Sequence, residues 1–291
     1  MGDFFSTGRE MTHPYSSGIF FGQLSYEKLQ SMTAQLTEEE KHAASARHFQ
    51  EPMASLTPDH EAAIAAGPLD PEECYMPQEI GAVLLNPVST AAENGYGVLS
   101  NGIGYAAVKV VQEGITDEMI RKYRDEFAHD GPRTLFYKLW FPGMHLLHYE
   151  NGVAENFGWG MLNLEMETEN FSFRHLGITR EDILKRDPNC ICLLGLYGRG
   201  WEIAHPEKSP AYTCMVQHTR QTPAGRELRV RFWNGIIFGP DGSLEFHPNS
   251  DRNQTVEQMK HMMEHCMREY SNELKLMREF WDENHLADSN G

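Results

Sequence analysis

His261, His265 and Glu269 follow one another at i, i+4 and i+8 where apolar residues recur every three or four positions, so all three fall on one stripe of a helix. An imidazole and a carboxylate one turn apart can share a divalent cation. The five cysteines, Cys74, Cys190, Cys192, Cys214 and Cys266, contain no C-x-x-C pair, which leaves a nitrogen and oxygen donor set with zinc as the first choice. The same spacing also describes a solvated helix face: 14 His and 42 acids in 291 residues give about two His-x-x-x-acid pairs by chance.

The central region adds His129, His145, His148, Glu150, Glu155, Glu165 and Glu167. His145 and His148 sit at a strand end or loop, where a hydrogen-bonded structural histidine is the commoner reading. Glu165 and Glu167 alternate with Leu164 and Met166, as on the wet face of a strand. His218 shares a strand face with Tyr212, Cys214 and Arg220; it is a general acid or base if that face lines a cavity, and a surface residue otherwise.

These residues need elements to hold them. Residues 1–86 are polar and Ala-rich, with helical signals at 25–35 and 37–48, and form an N-terminal extension or small helical subdomain. Residues 87–291 form the main domain. Strand signals cover 104–111, 134–141, 158–167, 190–197, 212–222 and 227–238, most of them in one antiparallel sheet. In the last segment Leu228, Val230 and Phe232 share one face and Arg229, Arg231 and Trp233 the other. A short helix spans 116–128 with Thr116 as N-cap, and a long amphipathic helix spans 255–284. The fold predicted is α+β, a curved sheet around the long C-terminal helix with a cavity between them.

Composition removes several partners. Lys+Arg 25 against Asp+Glu 42 gives a net charge of −17, which repels nucleic acid and anionic membrane surfaces. No apolar run is long enough to span a bilayer. The first 27 residues lack a secretory pattern, so the expected location is cytoplasmic, with reduced thiols.

Segments across residues 76–280 resemble the 2,4-diacetylphloroglucinol and phloretin hydrolases, in that family's order. They are Ala92-Glu93-Asn94-Gly95-Tyr96-Gly97 with Asn101 to Ala107; Gly114-Ile115-Thr116-Asp117-Glu118-Met119; Tyr137-Lys138-Leu139-Trp140-Phe141-Pro142 with His145; Arg229 to Gly235; and His265-Cys266-Met267-Arg268-Glu269-Tyr270. The resemblance implies a helix-grip domain of the Bet v 1 type, a homodimer, and one zinc on two His and two Glu. Matched residue by residue, His265 and Glu269 take the helix pair, and His129 and Glu155 are the nearest matches for the rest. His218 resembles the family's pocket histidine, with Tyr123 or Trp233 bounding an aromatic pocket. This chain has Lys122 to Phe127 where the family has a Trp-rich segment.

The implied activity is hydrolysis of the carbon-carbon bond between a polyhydroxylated aryl ring and its acyl group. The substrate is then a small aromatic ketone of secondary metabolism. Protonating the acyl-bearing ring carbon gives a vinylogous diketone, from which water attack on the acyl carbonyl expels a stabilised enolate. Two other functions fit the same cavity: isomerisation or cyclisation of a phenolic or polyketide intermediate, and binding of small aromatic ligands without chemistry.

Overall fold

A computed structural model describes residues 31–79, 83, 92–148, 153–156, 163–167, 191–199, 212–238, 244–246 and 252–289, with backbone alone for most positions between 147 and 214. Two features organise the chain, a hairpin in the centre of a sheet and a helix that the sheet wraps.

The hairpin is β7 (Tyr212–Thr222) and β8 (Gly225–Phe238), in the register Met215↔Phe232, Gln217↔Val230 and His218↔Arg229. Opposed residues share a face, so the alternation seen in the sequence becomes two chemically different surfaces. Gly225 closes the turn at φ 136°, and a Cβ there would meet the Gln112 carbonyl oxygen at 2.1 Å, so no other residue fits. Around this hairpin β1 (Gly95–Val98), β2 (Gly104–Glu113), β3 (His145–His148), β4 (Val153–Asn156), β5 (Asn163–Glu167) and β6 (Ile191–Arg199) complete an antiparallel sheet. Its order is β1-β2-β8-β7-β6-β5-β4-β3, and β9 (Leu244–Phe246) adds to β8.

The α-helices used below are α1 (Pro58–Ala66), α2 (Asp117–Asp125), α3 (Arg133–Trp140) and α4 (Arg252–Ser289). Thr116 caps α2 by accepting from the Met119 amide at 3.3 Å, as its position before two acids predicts. Met259, Met263, Cys266, Met267, Tyr270, Leu274 and Met277 of α4 are buried against Ala106, Val108 and Val110 of β2 and Val230 and Phe232 of β8. These apolar side chains form the part of the core between the long helix and the two strands it packs on. α4 lies over β1 and β2 at one edge of the sheet. β3, at the other edge, also reaches it, because the His145 and His265 rings lie 5.5 Å apart. The sheet therefore curls around the helix. The molecule is a mixed α+β fold with an antiparallel sheet and a long C-terminal helix.

The expected strand at 134–141 is instead α3. Its β-favouring Thr, Phe, Tyr and Trp residues suggest a strand, while Leu135 and Leu139, four apart, are the positions that enter the core. The Asn272 side chain of α4 donates to the Leu139 and Trp140 carbonyls at 2.9 and 3.0 Å and so satisfies the open end of α3. The helical signal at 37–48 resolves into 3-10 turns, Glu40–His42 and Ala44–Gln50. That at 25–35 is helical at 31–33, and its earlier part lies outside the described residues. Residues 158–162 of another expected strand do so too.

Candidate metal centre

β3 begins at His145, immediately after a turn from α3 in which the Gly143 φ of 86° requires glycine. The His145 and Gly143 backbones are held by His145 N to Phe141 O at 3.0 Å and Gly143 N to Thr33 O at 3.1 Å. The His145 ring stacks on Tyr137 with centroids 3.8 Å apart. Its Nδ1–H donates to the Tyr137 carbonyl at 2.8 Å, because a carbonyl can only accept. That bond fixes the tautomer and turns Nε2 towards α4.

Across from it, α4 presents His265 and Glu269, one turn apart. His145 Nε2 is 3.6 Å from Glu269 Oε1, and His265 Nε2 is 3.5 Å from Glu269 Oε2. His145, His265 and Glu269 are all buried, and one ligand atom from each lies within 4.8 Å of the others. Phe141 covers His265 at 4.6 Å between ring centroids. Burial pushes the Glu269 carboxyl up, but His145 and His265 outweigh it and hold the pKa below the ordinary carboxylate value. His265 Nδ1 is buried with no hydrogen-bond partner among the described residues. A carboxylate and two imidazoles within reach of one point suit a borderline divalent cation such as zinc.

The stripe His261, His265, Glu269 continues one more turn, to Glu273. Burial, then the Glu269 charge, raises the Glu273 carboxyl to about 7. Glu273 in turn acts on Tyr123 of α2, whose phenol is pushed well above its usual value by burial first and by that carboxylate second. Trp140 Nε1–H donates to the Tyr123 oxygen at 3.1 Å, so the phenol keeps its own hydrogen to donate elsewhere. Tyr123 is thus gathered into the corner formed by α2, α3 and α4.

Other residues singled out from the sequence lie elsewhere. His129 is exposed at the end of the 3-10 turn Phe127–His129 and joins neither of the His/acid groups found among the described residues; His145 stands beside the helix pair instead. Glu155 is on β4 with its backbone opposite Leu147, and its side chain is outside the described residues. Glu165 and Glu167 lie on β5, described by backbone alone, and Glu150 is outside the described residues. His261 is exposed near Glu257 at 3.9 Å.

His218 and Trp233 are on the sheet face turned away from α4. Phe232 and Met215 face the helix, with the Tyr270 hydroxyl 3.7 Å from Met215 Sδ, so their strand neighbours must face outward. There Trp233 Nε1–H donates to the Tyr75 carbonyl at 2.8 Å. Arg231 pairs with Glu93 at 2.9 Å and Arg229 with Glu227 at 2.9 Å. His218 is buried beside these cations; burial, then Arg220, Arg229 and Arg226, lower its pKa to about 4.

An antiparallel sheet packed on one long helix, with two imidazoles and a carboxylate close enough to share an ion, is the frame of an α+β domain with a candidate metal site. The family model described as DAPG hydrolase PhiG domain matches residues 79–281, and the chain belongs to that family, which makes it a hydrolase. A search of curated proteins gives no match. The matched span contains His145, His265 and Glu269. No helix among the described residues is long and apolar enough to cross a membrane.

Proposed function

We propose that this protein is a metal-dependent hydrolase, with zinc as the metal, that cleaves an acylphloroglucinol-type ketone into the free polyhydroxylated ring and a carboxylic acid. The observation that carries the reading is the burial of His145, His265 and Glu269 at one point inside a DAPG hydrolase domain. The architecture is then a helix-grip frame of the Bet v 1 type, with its catalytic domain beginning near residue 87. It acts in the cytoplasm as a homodimer.

His145, His265 and Glu269 would hold the metal, and Glu155, on the strand next to β3, is the fourth donor in this reading. When bound, the metal supplies a Lewis acid that polarises oxygen and stabilises developing negative charge. The chain's own groups handle position and protons. Tyr137 holds the His145 ring in one orientation by stacking and through its carbonyl. Tyr123, un-ionised because burial raises its pKa, has the proton that the acyl-bearing ring carbon must receive. Glu273, poised to about 7, can take a proton from water and return it. The atoms balance: water oxygen bonds to the acyl carbon, the ring-acyl pair of electrons returns to the ring, and one proton ends on the ring carbon. His218 and Trp233 face the far side of the sheet, and in this reading they pack beside the arginine layer rather than act on the substrate.

The test is incubation of the zinc-loaded chain with 2,4-diacetylphloroglucinol and with phloretin, following release of the carboxylic acid by mass spectrometry. Acid release that disappears in Glu269→Ala is the expected result. Recovery of both ketones unchanged by a fully metal-loaded protein would overturn the reading.

A further inference from the structure

The matched family domain begins at residue 79, yet the turn that delivers His145 is tied to chain far upstream of it. Thr33 is fully buried and clasps Gly143 in both directions: its Oγ1 donates to the Gly143 carbonyl at 2.7 Å, and the Gly143 amide donates to the Thr33 carbonyl at 3.1 Å. Lys138 of α3 is buried, and its Nζ donates to Glu40 Oε2 at 2.9 Å and to the Gln35 carbonyl at 3.2 Å. The adjoining residue Tyr137 is the one that stacks on His145 and accepts from it. The same upstream segment also grips α4, which carries the other two candidate ligands. The Ala54 amide donates to Asn272 Oδ1 at 3.0 Å, and that side chain caps α3 at Leu139 and Trp140.

We propose that residues 33–54 are a working part of the metal centre, with Thr33 and the buried Glu40–Lys138 pair as positioning residues that hold His145 at its distance from His265 and Glu269. The inference rests on the reading of that trio as the metal site. Its physical basis is that a site made from two separate elements binds a cation only as well as their spacing is kept. Second-layer contacts that orient a ligand are worth about 10–100-fold in metal affinity. A buried ion pair is a poor choice for stability alone, since similar-sized uncharged residues often serve as well, but it fixes one geometry.

The experiment measures zinc affinity of the full chain by competition with a chromophoric chelator at a temperature well below unfolding. The variants are Thr33→Val, Thr33→Ser, the double replacement Glu40→Gln with Lys138→Met, and the core control Val230→Ala in β8. Thr33→Val and the double replacement should each bind zinc about tenfold more weakly or worse, Thr33→Ser should bind as the unmodified chain does, and Val230→Ala should lower the unfolding temperature without changing affinity. Unchanged affinity in both Thr33→Val and the double replacement overturns the inference, as does an equal loss in Val230→Ala. If the double replacement fails to fold, Thr33→Val and Thr33→Ser decide alone. Should the unmodified chain bind no zinc, the metal reading itself fails, a result distinct from tight binding left intact in every variant.

Discussion

Two buried layers of charge lie on opposite sides of the central hairpin, and their donor sets differ in kind. On the outer face Arg229 and Arg231 carry permanent charge and pair with Glu227 and Glu93. In the α4 corner the groups paired with Glu269 among the described residues are imidazoles, His145 and His265. A guanidinium neutralises a buried carboxylate at every pH and leaves no lone pair for a metal. An imidazole can give its lone pair to a metal or take up a proton. Burial of charge alone therefore does not mark a site; the exchangeability of the positive partner does. The outer layer ties the sheet to the chain across it, and the corner holds groups that could bind an ion.

The largest effect expected on this contrast is in the corner. Removing a metal ligand with His265→Ala or Glu269→Ala should abolish several kcal/mol of transition-state stabilisation, a fall of about 10⁴-fold in turnover, while thermal unfolding shows the fold retained. In the outer layer the damage should be of the other kind. Arg231→Met takes from the buried Glu93 its partner at 2.9 Å while Arg229 stays at 3.5 Å, and should cost about 3 kcal/mol in denaturant unfolding while the folded fraction keeps its turnover. Loss of turnover without loss of stability there would erase the distinction between the layers.

Acid should find the outer layer through His218. Its folded pKa, about 4, lies below the unfolded value near 6.5. The unfolded chain therefore binds the proton first, so stability is fully present above pH 6.5 and is lost as pH falls towards 4. The loss should be on the order of 3 kcal/mol, and His218→Gln should flatten that limb of the stability curve. Tyr123→Phe removes one hydroxyl from the corner and should lower turnover by about 10²-fold with little change in zinc content. The smallest effect is at α2, where Thr116→Ala should cost about 1 kcal/mol of stability through the lost cap and leave metal binding alone.

Much of this frame could be read from residue periods. The β7–β8 hairpin, α2 and α4 follow from alternation, a Thr cap and a three-to-four-residue apolar repeat, each a local signal. α3 did not, because its residues favour strands and its helix is stabilised from outside, by Asn272 on its last carbonyls and by Glu40 on Lys138. In the corner, His265 and Glu269 were legible as one helix turn, and extending the same stripe by four reaches Glu273. His145 was visible only as a histidine after a shared Tyr-Lys-Leu-Trp-Phe-Pro segment. What brings it to α4 is the curl of an entire sheet, and no local spacing encodes that. Both faces of β8 were separated correctly by alternation, but alternation does not say which face meets the helix. Phe232 does, so His218 and Trp233 fall outside.

The most direct test of the central claim is metal content by elemental mass spectrometry on His145→Ala and His129→Ala beside the unmodified chain. About one metal per chain is expected in the unmodified protein and in His129→Ala, with loss of it in His145→Ala. Metal kept by His145→Ala and lost from His129→Ala would contradict that claim.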